Sequence, residues 1–127
     1  MAHPLRPPGR FMPMDDILSL TSVDAEAIND HRVSQGLEPI GTTVADVLPS
    51  KQLDIEHDHA RYAQVELSMR MRGQAAPIGV CNGYLINGVH RVALAIRAGW
   101  PGMYVSCDFE ATTDTEWDAA HPGIAWA

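Results

Sequence analysis

One hundred and twenty-seven residues, 46% of them hydrophobic, suit a single domain that buries roughly two-thirds of its unfolded surface. A charged content of 20%, with 10 Gly and 9 Pro, excludes collagen-like and low-complexity chains, and no apolar run approaches the ~20 residues of a membrane span. A net charge of −7 disfavours non-specific nucleic-acid binding, which rests on neutralising many phosphates.

In chain order, residues 1–14 carry prolines and glycines that interrupt any helix or ladder, and they read as an irregular N-terminal arm. The arm lacks the apolar stretch of a secretory signal, so a cytoplasmic location is expected. Residues 15–39 form an N-terminal helical extension, with a helix from Asp24 to Gln35 capped by Ser22 or Asp24 and stopped at Gly36. The β-branched run Thr42–Leu48, bounded by Gly41 and Pro49, predicts a strand. Asp58 then caps a helix from His59 to Arg72 that ends at Gly73. On a helical wheel Ala60, Ala63, Leu67 and Met71 form one apolar stripe, and Tyr62, Val65 and Met69 form another opposite it. Two such stripes predict a helix sandwiched between layers.

Pro77–Cys81 reads as a strand, Asn82-Gly83 as a two-residue hairpin turn, and Tyr84–Ile86 as the returning strand. Asn87-Gly88 leads into a helix with Val89, Val92, Ala93 and Ile96 on one face, which ends at Gly99. Met103–Cys107 is a last short strand. The acidic tail, 109–127, has room for one helical turn at Thr115–Ala120. These elements predict a mixed α/β domain with one short mixed sheet, a hairpin and flanking helices.

Charge is segregated along this order. Residues 59–107 carry Arg61, Arg70, Arg72, Arg91 and Arg97 against Glu66 alone, and acidic segments flank them on both sides. A basic centre of this kind suits a small anionic ligand, or else it is a solvated helix face. The strand-to-helix junction at Asn87-Gly88 sharpens the first reading. Unpaired N–H groups at a helix start, and the positive end of its dipole, attract anions. Gly88 lets a ligand approach the backbone, and the guanidinium of Arg91 can grip a phosphate with two hydrogen bonds. The alternative for Arg91 is a bend back onto a carboxylate of a neighbouring loop.

The run Pro77-Ile78-Gly79-Val80, then Tyr84-Leu85-Ile86-Asn87-Gly88-Val89-His90-Arg91, then Gly99-Trp100, resembles the ParB/sulfiredoxin superfamily, most closely the ParB N-terminal-like ("ParB-like nuclease") domain. The resemblance spans about residues 40–108, with the helix from His59 as the family's preceding helix and Thr42–Asp54 as its first strand and following loop. It implies that Asn87, Gly88, His90 and Arg91 bind the phosphates of a nucleotide (ATP, ADP or CTP) with Mg²⁺. It also implies NTP hydrolysis or phosphoryl transfer to a small hydroxyl substrate. Glu56, near the family's nucleotide site, would then be a catalytic base, and His90 would bind or protonate a phosphate oxygen.

Three departures bear on what carries over. Val89 stands where sulfiredoxins have their cysteine, so sulfinic-acid reduction is not expected. Val89-His90 replaces the Glu-Arg of partition proteins, and Asn87 replaces an Asp found in many members. Two further classes stay open: a non-catalytic nucleotide- or protein-binding module, and a DNA nuclease or partition accessory protein, which the net charge disfavours.

Lesser features have plainer readings. Glu56-His57-Asp58-His59 places two histidines at i, i+2, which share a strand face and not a helix face, so no metal site is assigned there. Cys81 and Cys107 read as small buried hydrophobes. Trp100 packs the corner after Gly99. Trp117 and Trp126, in the acidic tail, suggest that it folds back or meets a protein partner, a second copy of the chain included.

Overall fold

Both edges of the sheet come from the N-terminal residues. The computed structural model describes residues 9–74 and 76–108. Its strands lie in the order β1 (Arg10–Pro13), β5 (Gly102–Ser106), β3 (Ile78–Cys81), β4 (Tyr84–Asn87) and β2 (Thr21–Ser22). The helices are α1 (Met14–Leu18), α2 (Asp24–Ser34), α3 (Val44–His57), α4 (His59–Arg72) and α5 (Val89–Arg97). Pairing is antiparallel for β1–β5 and β3–β4 and parallel for β3–β5 and β2–β4, so the fold is mixed α/β as expected.

Residues 9–22 are therefore neither an irregular arm nor an appended extension. Phe11 pairs with Tyr104 across β1–β5, Thr21 pairs with Tyr84 across β2–β4, and Ile17 of α1 is fully buried. Pro13 is tolerated because it ends an edge strand, where a missing N–H leaves no ladder bond unmade. Residues 1–8 lie outside the described residues, as do the helical turn expected at 115–120, Trp117 and Trp126.

The hairpin forms where Asn82-Gly83 places it, with φ of 53° and 81° at the two turn residues, the left-handed pair a type I′ turn demands. From β4 the chain passes Gly88 into α5 and returns as β5 alongside β3. Trp100 packs against the core at that return.

The strand expected at Thr42–Leu48 is the start of α3 instead. Thr43 Oγ1 accepts a hydrogen bond from the Asp46 N–H (3.3 Å), and Asp46 Oδ2 accepts from the Thr43 N–H (3.1 Å) and hydroxyl (2.7 Å). This reciprocal cap satisfies two donors at the helix start, and its bonds hold the Asp46 carboxyl below the usual carboxylate range. Val44 and Val47, three apart, then face the core together, a helical and not a strand periodicity. Pro49 sits at the sixth helical position and forfeits one backbone bond. All that remains of the strand is a single bridge, Thr21 to Thr43, and the Ser22 N–H bond to the Thr42 carbonyl.

The helix enclosed on all sides is α5, not α4. Every residue from Val89 to Ala95 is buried, whereas α4 buries only its Tyr62, Val65 and Met69 stripe together with Ser68. Leu67 and Met71, on the other stripe, are 57% and 74% exposed. Two caps also differ from expectation. The Asp58 side chain makes no cap bond; the residue is the joint between α3 and α4, and its carbonyl accepts from the Arg61 and Tyr62 N–H groups. Val23, not Ser22 or Asp24, is the N-cap of α2, and Ser22 Oγ accepts from the Asp24 N–H.

Cys81 and Cys107 are not buried hydrophobes but a disulfide that joins the ends of β3 and β5. Among the described residues no helix is long and apolar enough to cross a membrane.

Candidate functional site

Most of the polar groups at the Asn87–Arg91 junction are directed into the domain. Asn87 Oδ1 accepts from the Gly79 N–H at 2.8 Å, where the β3–β4 register shifts, and a Cβ on Gly79 would lie 2.8 Å from that oxygen. Gly88 has φ +96°, which L-residues avoid, and a Cβ there would lie 2.6 Å from Ile78 Cγ2. The close approach that requires a glycine is thus made by the chain itself. Arg91 is buried and its Nη1 donates to the carbonyls of Ala76 (3.0 Å) and Pro77 (3.3 Å). It bends back, as one reading of the sequence allows, and its Nη1 is held by these backbone carbonyls.

His90 faces differently. The residue is 5% exposed, and Nε2 lies 2.9 Å from Oδ2 of Asp54, whose side chain is half-exposed on α3. Tyr62 of α4 stacks on the imidazole with centroids 5.2 Å apart, and the Arg61 guanidinium lies 5.3 Å from the Tyr62 ring centre. Burial holds the His90 pKa below the ordinary imidazole value, and the nearby charges of Lys51 and Arg61 act the same way. The Asp54 hydrogen bond and charge oppose them without prevailing. Nδ1 is buried without a hydrogen-bond partner, which suits a bare lone pair far better than an N–H. The ring is accordingly a neutral imidazole with its proton on Nε2, donated to Asp54.

These groups line a cavity of about 300 Å³ walled by Asp54, His57, Asp58, Arg61, Tyr62 and His90. It holds two carboxylates, one guanidinium and a phenol whose pKa is raised, chiefly by burial. Asp54, His57 and Asp58 are its exposed members, and the buried His90 holds Asp54 from beneath. Glu56 lies on α3 as an exposed residue and does not line this cavity, so the carboxylate that meets His90 is two positions earlier. Among the described residues no three His, Cys, Asp or Glu side chains come together as a metal site.

The missed residues share a signal. Asp54, His57, Asp58 and Arg61 are spaced i, i+3, i+4, i+7, one face of a nearly continuous helix across the Asp58 joint. Reading 42–54 as a strand and loop hides that spacing. Gln74, also unforeseen, is buried; its Nε2 donates to the carbonyls of Ala76 and Tyr104, and its Oε1 accepts from the Tyr104 N–H. It stands in for a strand residue beside β5 and ties the end of α4 to the sheet.

Compared with known proteins, the chain matches no family model, no curated protein and no solved structure.

Proposed function

We propose that this is a ParB/sulfiredoxin-like domain that binds a small nucleotide with Mg²⁺ in the Asp54–His90 cavity and transfers or hydrolyses its terminal phosphate. The observation that carries this reading is the half-exposed Asp54 carboxylate, held at 2.9 Å by the buried His90 at the first turn of α5. The order β4, Gly88–Arg91, α5, Gly99, β5 is the one the sequence resemblance calls for. The phosphate seat is shifted from the junction itself, where Ile78 fills the space beside Gly88, to the adjoining cavity. There Arg61 would contact phosphate oxygens and Asp58 would hold Mg²⁺, an ion that binds through one or two carboxylates and would neutralise phosphate charge. Asp54 serves as the base that accepts a proton from water or a small hydroxyl, the role expected for Glu56, and His90 is its positioning residue.

A second reading is a non-catalytic binding module. It is favoured by the internal use of Asn87, Gly88 and Arg91, which leaves the helix start packed and not open to a ligand. Titration calorimetry with ATP, ADP, CTP and GTP, with and without Mg²⁺, on wild type and Asp54→Asn, separates the two. Mg²⁺-dependent binding with phosphate release that Asp54→Asn abolishes supports the catalytic reading. Binding without release supports the module. Silence for all four nucleotides in folded protein removes both nucleotide readings.

A further inference from the structure

Helices α2 and α3 and the loop between them enclose a cavity of about 560 Å³ that shares no lining residue with the Asp54–His90 site. Its apolar lining includes Ile28 of α2, Leu37 and Ile40 of the loop, and Leu53 of α3. Leu37 and Leu53 are each 52% exposed, so the cavity opens to solvent. The loop is nonetheless fixed. Asn29 Oδ1 accepts from the Ile40 N–H (2.7 Å), Asn29 Nδ2 donates to the Ile40 carbonyl (3.0 Å), and Arg32 Nε donates to the Glu38 carbonyl (2.7 Å). A pre-formed cavity of this size, apolar with a few placed polar groups, is the usual form of a small-molecule site.

Two opposite charges line it, Arg32 and Asp46. The Nε bond pins the half-buried guanidinium by one edge, and its two Nη groups have no partner among the described residues. Asp46 Oδ2 is engaged by Thr43, whereas its Oδ1 has no partner among those residues. Both charges flank the same loop, Arg32 at Glu38 and Asp46 at Gly41, where the carboxylate packs on the backbone. Three residues of chain span at most about 11 Å, a gap that one small molecule with a contact at each end bridges.

We propose that this cavity binds a free α-amino acid with a large apolar side chain. The ligand carboxylate takes the two Nη groups of Arg32 as a bidentate pair, and its ammonium meets Asp46 Oδ1. Its side chain lies among Ile28, Leu37, Ile40 and Leu53. The paired charges decide against simpler apolar ligands: an acid brings a carboxylate beside Asp46 uncompensated, and an amine brings an ammonium beside Arg32. Because the cavity is open, water and salt screen both contacts and the binding is weak and reversible.

Amide chemical-shift titration of the full chain with L-leucine and L-phenylalanine tests this independently of any nucleotide. Both shift amides within residues 28–41 and 46–53 and bind at least about ten-fold more tightly than glycine, which lacks the apolar side chain. N-acetyl-leucine, without the ammonium, and leucinamide, without the carboxylate, each bind about ten-fold more weakly than leucine. Arg32→Gln and Leu53→Asp each weaken leucine binding about ten-fold with an unchanged circular dichroism spectrum. Leu53 is half-exposed, so that variant keeps the fold even if Arg32→Gln loosens the loop. Folded protein that shows no saturable shift with either amino acid at ~50 mM overturns the proposal. So does leucine binding that Leu53→Asp leaves unchanged. A derivative that binds as tightly as leucine overturns the assignment of a zwitterion.

Discussion

Arg91 shows how a side chain expected to grip a ligand also serves the fold. A guanidinium at a helix start is electrostatically unfavourable on its own, which is why an anion is the natural partner to expect there. In the structure its Nη1 donates to two carbonyls, those of Ala76 and Pro77, at the turn that leads into β3. Arg91→Ala should therefore destabilise the fold by roughly 3 kcal/mol, from lost charge-assisted bonds and two carbonyls left unpaired. Urea denaturation without ligand measures this. Wild-type stability in that variant, with ligand binding lost, would return Arg91 to a phosphate role. His90 makes a second prediction. Its folded pKa lies below the ordinary value of about 6.5, so the unfolded chain binds the proton more readily. The stability this difference contributes is fully present above pH 6.5 and is lost as pH falls through the folded value. The groups facing the ring are Asp54, Lys51, Arg61 and Tyr62. Thermal melts between pH 7.5 and 5, run on wild type and His90→Gln, should show a steeper acid loss in wild type.

At the scale of elements, what was legible depended on how local the determining interaction is. The hairpin, the start of α5 and the stops at Gly36, Gly73 and Gly99 each need a left-handed residue, and Asn or Gly at those points announces one. The α3 start is equally local but was masked by β-branched residues, since Thr43-Val44 and Val47 satisfy a strand pattern as well as a helical one. The Thr43–Asp46 cap decides between them. Thr43→Ala should cost about 1 kcal/mol, read as a lower denaturation midpoint with an unchanged slope. Features that depend on distant partners were not legible. Gln74 reaches Tyr104 thirty positions away, and His90 reaches Asp54 thirty-six away. Neither pairing leaves a periodic trace in the chain. Burial on α4 was half legible: both stripes are apolar, and only the packing of α5 against one side decides which is covered. At the candidate site the junction points to His90, while Asp54, which meets it, lies two positions before the expected base Glu56 and carries no local sign of that pairing.

Taken whole, the domain closes on a covalent link that its composition does not announce. Cys81 ends β3 and Cys107 follows β5, and the segment between them holds β4, the His90 junction, α5 and β5. Parallel neighbours such as β3 and β5 are hydrogen-bonded over only two registered pairs, Ile78 with Val105 and Gly79 with Ser106. The disulfide lies just beyond those pairs and fastens the end of the ladder nearest solvent. A bond closing a segment of 26 positions restricts the unfolded chain by about 3.5 kcal/mol in the loop-entropy account. Such a bond persists only in an oxidising environment; under cytosolic reductants the two sulfurs remain neighbours as thiols. Reduction should therefore lower the melting temperature by roughly 10 °C while leaving the far-ultraviolet circular dichroism at 20 °C unchanged, because the core of α1, α3 and α5 on the sheet does not depend on it. Cys81→Ser with Cys107→Ser should melt where the reduced wild type melts, and adding reductant should not shift it further. A variant pair that melts with the oxidised protein would show that the link contributes nothing to stability. In that case the hydrogen-bonded ladder and the Gln74 clasp on Tyr104 hold this end of the sheet by themselves.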